Sequence, residues 1–278
     1  MSGPETLYDG VESQTVRTDR LDTRYLESGE GTGTPVVFLH GTTCDSRFWE
    51  GTLQALPDHY RGIAPDRRGC GRSATKPVDA TAGMGDFASD VHSLLDALAL
   101  ADRSVHLVGW SFGGGIAMRY AIDYPETVAS LTLLAPIPPQ GFGGIKNTTA
   151  EPCWPDYAGS GAGLVDEEYC RRMREGDRST ESDLSPRNVL TDLYCDPDTE
   201  LPPGREEVLL DSMLRSTIGE DTYPGDAIES DNWPGVAPGT RTARSPGRTS
   251  SASRRRWRRV CSFRDCSRAS GRPSRSSS

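Results

Sequence analysis

Residues 104–115, SVHLVGWSFGGG, constrain this chain more than any other stretch. An apolar run of strand character passes through Gly109, Trp110, Ser111, Phe112 and Gly113 directly into a helical pattern. A serine in the middle of G-x-S-x-G has its hydroxyl lifted above the carboxyl edge of a sheet only if the turn is sharp and strained. Glycines two residues to either side remove the Cβ atoms that would clash in such a turn. Gly114 and Gly115 extend the same close packing, and Ser111 then stands at a helix N-terminus, where exposed amides favour developing negative charge. Glycine and serine are common residues, so these five positions taken alone fit chance as well as chemistry.

The surrounding pattern adds weight. Between residues 14 and 137, extended apolar runs alternate with helical periodicity, the order of a mostly parallel sheet with crossover helices. QTVRTDRLDTRYLES reads as two strands joined by a tight turn near residues 19–21. Val36, Val37, Phe38 and Leu39 form a continuous apolar strand of the kind covered on both faces. DSRFWEGTLQALP reads as a helix capped at Asp45 or Ser46 and stopped by Pro57. YRGIAPD follows as a strand, DFASDVHSLLDALAL as an amphipathic helix, SVHLVGW as a buried strand and SLTLLAPI as another. Residues 138–233 change character: Gly, Pro and Asp are frequent, and amphipathic helices are expected around VDEEYCRRMRE, SPRNVLTDLY and REEVLLDSMLRS. The expected organisation is a core at 1–137, a mostly helical insertion over one end of the sheet at 138–233, and a disordered Arg/Ser-rich tail at 234–278.

Acyl transfer needs two backbone amides aimed at the tetrahedral oxyanion, one from the residue after the nucleophile and one from a loop after a neighbouring strand. Phe112 and Thr42 occupy those places, because VVFLH ends in His40 and Gly41 and is followed by Thr42. His40 reads as a loop-stabilising residue in preference to a catalytic one. DRRGCGRS, at residues 66–73, is a turn-rich segment that shapes the rim of the pocket. Trp110, Phe48 and Trp49 are candidate pocket-lining residues, with core packing the equal alternative.

LHGTT, DRRGCGRS and GWSFGGG, in this order and spacing, resemble the α/β-hydrolase superfamily, in the branch with esterases, lactonases, carbon–carbon bond hydrolases and cofactor-free haloperoxidases. The resemblance covers residues 14–137, and the helical insertion resembles that family's cap. It implies an α/β-hydrolase fold and a Ser–His–Asp triad with Ser111 as nucleophile. It also implies a small-molecule substrate with an ester, lactone or related acyl bond, and no metal or organic cofactor. Haloalkane dehalogenases and epoxide hydrolases of this fold carry an aspartate where Ser111 stands, which argues against both. The family order places the base after the nucleophile, yet His40, His59, His92 and His106 all precede Ser111. The acid is absent too: IPPQGFGG offers no carboxylate, and the apolar strands expected after ESDNWPGVAPG do not follow. The expectation is a crippled hydrolase whose C-terminal strands are missing, or else a non-catalytic binding protein of the same fold.

Charge separates the tail from the body. The chain has 31 basic and 40 acidic residues, but residues 240–278 hold 12 arginines and one acid, leaving 19 basic against 39 acidic before them. So acidic a body suggests a salt-adapted surface of the halophilic kind, with an ordinarily acidic protein as the alternative. The abrupt reversal suggests a shifted reading frame near Gly239. RRRWRR at residues 254–259 is otherwise the pattern of phosphate pairing and base stacking, which the acidic body opposes, so no nucleic acid is expected as a partner. Seven scattered cysteines without a CxxC pair read as thiols of a reducing compartment. The polar start and the lack of a long apolar run make the cytoplasm the expected location, with no membrane role. The sequence says nothing of oligomeric state.

Overall fold

The first reversal of the chain is built by a single hydroxyl. Thr18 Oγ1 accepts from the amides of Arg20 (3.1 Å) and Leu21 (3.0 Å), and the Thr18 amide donates to Leu21 O. This side-chain-made turn joins β1 (Val11–Arg17) to β2 (Asp22–Ser28) as an antiparallel hairpin, where the sequence places it. In the computed structural model, residues 7–79, 82–140, 146–147, 151–159, 165–196 and 200–239 are described.

Four further strands complete the main sheet: β3 (Thr34–Leu39), β4 (Tyr60–Pro65), β5 (Val105–Trp110) and β6 (Val128–Leu134). The order is β1-β2-β4-β3-β5-β6, antiparallel through β2–β4 and parallel from β4 to β6. This is the mostly parallel sheet that alternating strand and helix patterns predict. On one face, α2 (Met84–Ala97) and α3 (Phe112–Asp123) cover a core that includes Val37, Leu39, Ile63, Leu94, Leu107 and Ile116. On the other, a short helical turn at Ser46–Trp49 leads into α1 (Glu50–Gln54), and Leu26, Val36, Phe38, Trp49 and Leu53 pack together. Asp45 caps that turn by accepting from the Arg47 amide at 2.8 Å.

β3 is buried on both faces, as its apolar run requires, whereas β5 is buried at alternate residues only. The expectation of a fully buried β5 is therefore corrected. Its His106 and Val108 face the side that α2 and α3 do not cover, and His106 Nδ1 pairs with Ser130 Oγ at 2.7 Å. β6 is the last strand of the sheet among the described residues, and Ala129 through Leu134 are all exposed. It has no charge and no proline, so its outer edge carries unpaired backbone groups beside leucines.

Beyond β6 the three expected helices are present. α4 (Glu167–Glu175) is capped by Asp166 and ends at Gly176, α5 (Pro186–Val189) continues into a wider-wound turn at Leu190–Tyr194, and α6 (Arg205–Leu214) follows. Tyr169, Met173, Leu190, Leu209, Leu210 and Met213 form their common core. Two small strand pairs also occur: β7 (Ile218–Gly219) with β8 (Tyr223–Pro224), and β9 (Ala227–Glu229) with β10 (Val236–Pro238). Two- and three-residue strands flanked by Gly and Pro show no alternation to read. Ordered pairing thus continues to Pro238, inside the stretch the sequence assigns to the tail, while the tail from residue 240 lies outside the described residues.

Buried polar contacts tie the helices to the sheet domain. Arg205 of α6 pairs with the fully buried Glu50 of α1 and donates to Arg47 O. Ser212 Oγ of the same helix donates to Asp45 Oδ1 at 2.5 Å. Each of these groups needs its partner once water is excluded.

Candidate active site

Ser111 has φ +53° and ψ −115°, a conformation non-glycine residues adopt only under constraint. The constraint is visible in its backbone bonds. Its amide donates to Leu134 O (3.0 Å), and its carbonyl accepts from Gly114 (3.0 Å) and Ile137 (3.1 Å), so β6 and the start of α3 pin the turn from two sides. A Cβ on Gly113 would lie 2.1 Å from Leu39 O, and one on Gly109 would lie 2.6 Å from Gly113 O. The G-x-S-x-G pattern is therefore a packing requirement here. Ser111 is partly exposed above the sheet edge while Phe112 beside it is buried.

The loop after β3 lies next to this turn, since Gly113 touches Leu39 and His40. His40 is buried. Its Nδ1–H donates to Gly41 O at 2.9 Å and its Nε2 accepts from the Arg67 amide at 3.0 Å, which welds the loop after β3 to the loop after β4. Burial, aided by the nearby positive charge of Arg67, lowers its pKa to about 3, so the ring stays neutral. Both nitrogens are engaged in structure, in keeping with its loop-stabilising reading. Thr42 is partly exposed, and among the described residues no acceptor pairs with its N–H.

A chain of hydroxyls holds this loop from above. Tyr194 O–H donates to Thr42 O (3.0 Å), and Thr43 Oγ1 lies 3.3 Å from Tyr194 Oη and 2.9 Å from Tyr169 Oη. The consistent assignment runs Tyr169 to Thr43 to Tyr194 to Thr42 O, each hydroxyl donating once. Burial raises the pKa of both phenols, so both remain donors at neutral pH. Thr43 itself sits at φ +49°. Neither tyrosine was legible as a site residue, because α4 and the turn after α5 show only amphipathic spacing.

Of the three candidate pocket residues, two come together. Phe48 stacks within 5.7 Å of Trp110, and Tyr194 stands edge-on to Trp110 at 5.4 Å. Trp49 is turned the other way, buried against Phe38 at 5.3 Å in the core under β1–β4, and its pocket assignment is corrected. Successive residues of a helical turn point in different directions, which decides between them. A cavity of about 30 Å³ lies between the sheet domain and the segment carrying β7 and β8, bordered by Thr43, Arg67, Cys70, Phe112, Ser216 and Tyr223.

No imidazole hydrogen-bonds Ser111 among the described residues, which include all four histidines. His92 stacks on Tyr124 at 4.0 Å, His106 pairs with Ser130, His59 lies against Tyr60 at 4.2 Å, and His40 is committed as above. Nor do the described residues contain a group of three His, Cys, Asp or Glu side chains placed to hold a metal ion. No described helix is long and apolar enough to cross a membrane.

Residues 34–159 match the family model described as alpha/beta hydrolase fold. The non-heme chloroperoxidase CPO-A1 of Kitasatospora aureofaciens is 41% identical over 124 residues, 44% of this chain and 44% of that protein. The pimeloyl-[acyl-carrier protein] methyl ester esterase of Aliivibrio fischeri is 35% identical over 121 residues, 42% of this chain and 44% of its own length. The chain thus matches less than half the length of these relatives. Among solved structures, an esterase from Exiguobacterium antarcticum superposes with a TM-score of 0.52 at 20% identity, over 74% of this chain and 70% of that one, a likeness of fold.

Proposed function

We propose, from the premise that residues 34–159 of this chain belong to the α/β-hydrolase superfamily, that the protein is built for serine-dependent hydrolysis of a small ester, lactone or related acyl bond. The observation that carries the reading is the strained backbone of Ser111, with glycines at the two positions where any Cβ would strike the chain. In this reading Ser111 Oγ attacks the carbonyl carbon, the amides of Phe112 and Thr42 hold the oxyanion, and the alcohol leaves as the acyl-enzyme forms. α4 to α6 act as a cap over that end of the sheet, and Phe48, Trp110 and Tyr194 give the cleft its apolar wall.

The proton of Ser111 Oγ has no acceptor among the described groups. Loss of the base from a serine–histidine pair lowers turnover roughly 10⁶-fold, about 8 kcal/mol of barrier. What remains is oxyanion stabilisation and binding. The absence of an imidazole at Ser111 also supports the second reading, a binding protein of the same fold that keeps the pocket without the chemistry.

Added imidazole separates the two. If Ser111 is the nucleophile, free imidazole accelerates nitrophenyl ester hydrolysis by the intact chain above the rate it gives with Ser111→Ala, and a fluorophosphonate labels the intact chain alone. Equal rates for the two proteins, with no labelling, would leave only the binding reading.

A further inference from the structure

Among the described residues the buried arginines are paired with carboxylates, while Arg67 is half-buried. Arg68 bonds Asp86 (2.8 Å) and Asp90 (2.6 Å), Arg24 bonds Asp66 (3.3 Å), and Arg205 bonds Glu50. Arg67, the neighbour of Arg68, differs. Among the described residues no carboxylate lies within ion-pair distance of it, in a body that carries 39 acidic residues before residue 240.

Its guanidinium is nevertheless fixed. The plane lies 4.3 Å from the centroid of the Phe112 ring, and Nη2 donates to Gly41 O (3.1 Å) and towards Cys70 Sγ (3.4 Å). Its Nε–H is buried and has no acceptor among the described residues, while the buried Ser216 hydroxyl bears on the Cys70 thiol. Both residues border the one cavity that also touches Thr43 and Phe112. A buried N–H of a charged group with no acceptor, in a residue that borders a void, is a place for an acceptor from a ligand. The void of about 30 Å³ corresponds to roughly two water-sized places.

We infer that Arg67 and Ser216 form an anion subsite beside the oxyanion loop, and that its ligand is a carboxylate carried by the substrate or released product. The flat two-oxygen group suits a void of about two water-sized places, whereas the tetrahedral phosphate needs more room. Guanidinium is the side chain best shaped for a carboxylate. Stacking on Phe112 and the bond to Gly41 O hold it rigid before the ligand arrives, which lowers the ordering cost of binding. Gly41 precedes Thr42, one proposed oxyanion donor, and Phe112 is the other, so a substrate anchored here holds its carboxylate next to the reacting end. Calling the ligand a substrate rests on the serine-hydrolase reading above; the carboxylate site itself does not.

The test is calorimetric titration of the full chain with propionate, with propionamide as the neutral analogue of the same shape and inorganic phosphate as the bulkier anion. Saturable propionate binding is expected, at least about tenfold tighter than propionamide or phosphate. It should weaken about tenfold in Arg67→Met, which keeps the apolar stem on Phe112, and less in Arg67→Lys, which keeps charge without the fork. Absent propionate binding, equal binding of propionamide, tighter binding of phosphate, or an unchanged affinity in a folded Arg67→Met each overturns the inference. If Arg67→Met fails to fold, the three-ligand comparison on the unaltered chain still decides. Fluorophosphonate labelling of the same sample with added imidazole reports on Ser111 separately: binding without labelling sinks the nucleophile alone, and labelling without binding sinks the subsite alone.

Discussion

Replacing Asp45 by Asn should change how the stability of this protein responds to pH. Asp45 is buried at the junction between the sheet domain and α6, where burial and the neighbouring Asp66 carboxylate raise its pKa from 3.8 to about 6. The Ser212 hydroxyl, the Arg47 amide and the more distant charge of Arg24 oppose that rise without cancelling it. Asp66 itself accepts from Ser46 N (2.9 Å), Ser46 Oγ (2.6 Å), Arg72 N (2.9 Å) and the Arg24 guanidinium, which fix it beside Asp45. The sign follows from proton counts. Between pH 4 and 6 the folded state holds more protons at this site than the unfolded chain, so its contribution to stability falls as pH rises through that window. A shift of about two units corresponds to about 3 kcal/mol as an upper bound. Asn keeps the carbonyl oxygen that accepts from Arg47 N and Ser212 Oγ, and it does not ionise. Urea unfolding of both proteins at intervals from pH 4 to 7 gives the difference in stability, from which titration of groups that do not interact with Asp45 and any constant cost of fitting the amide drop out. That difference should move in favour of Asp45→Asn by 1 to about 3 kcal/mol across the window and level off above pH 6. A difference that stays flat, or moves the other way, refutes the account of a strained carboxylate pair at this junction.

Two further outcomes follow from backbone geometry. Gly113→Ala should abolish soluble folded protein or cost more than about 3 kcal/mol in urea unfolding, because its Cβ would meet Leu39 O at 2.1 Å and backbone cannot step aside. Gly176→Ala, at φ +67° with open space around it, should cost only about 1 kcal/mol. On the exposed β6, Leu131→Lys places a charge on an uncharged edge strand. Light scattering should show association beginning at a higher protein concentration, with stability lower by about 1 kcal/mol or less.

Local sequence was a sufficient guide wherever one short segment decides its own conformation. The hairpin turn is made by one threonine, the elbow at Ser111 follows from glycines that nothing else can replace, and the helices after residue 165 follow from apolar spacing within each segment. The same locality explains the misses. β5 looks buried because its residues are apolar, but burial of a strand's second face depends on what distant chain lies over it. Phe48 and Trp49 are adjacent aromatics, and only the turn they sit on sends one to the cleft and the other to the core. β7 to β10 are too short to show a period.

The sequence alone was enough for the parallel sheet, the glycine-flanked turn at Ser111, the loop at residues 40–43 and the lack of a histidine after Ser111, because each is written in neighbouring residues or in composition. What tertiary structure alone decided was the company those residues keep. Tyr169 and Tyr194 reach the Thr42–Thr43 loop from more than a hundred residues away, Ser212 bears on Asp45, and among the described residues Arg67 meets no carboxylate while Arg68 beside it has two. Hydrogen bonds and ion pairs fall off within a few ångströms of space, and separation along the chain carries no record of which groups folding will bring that close.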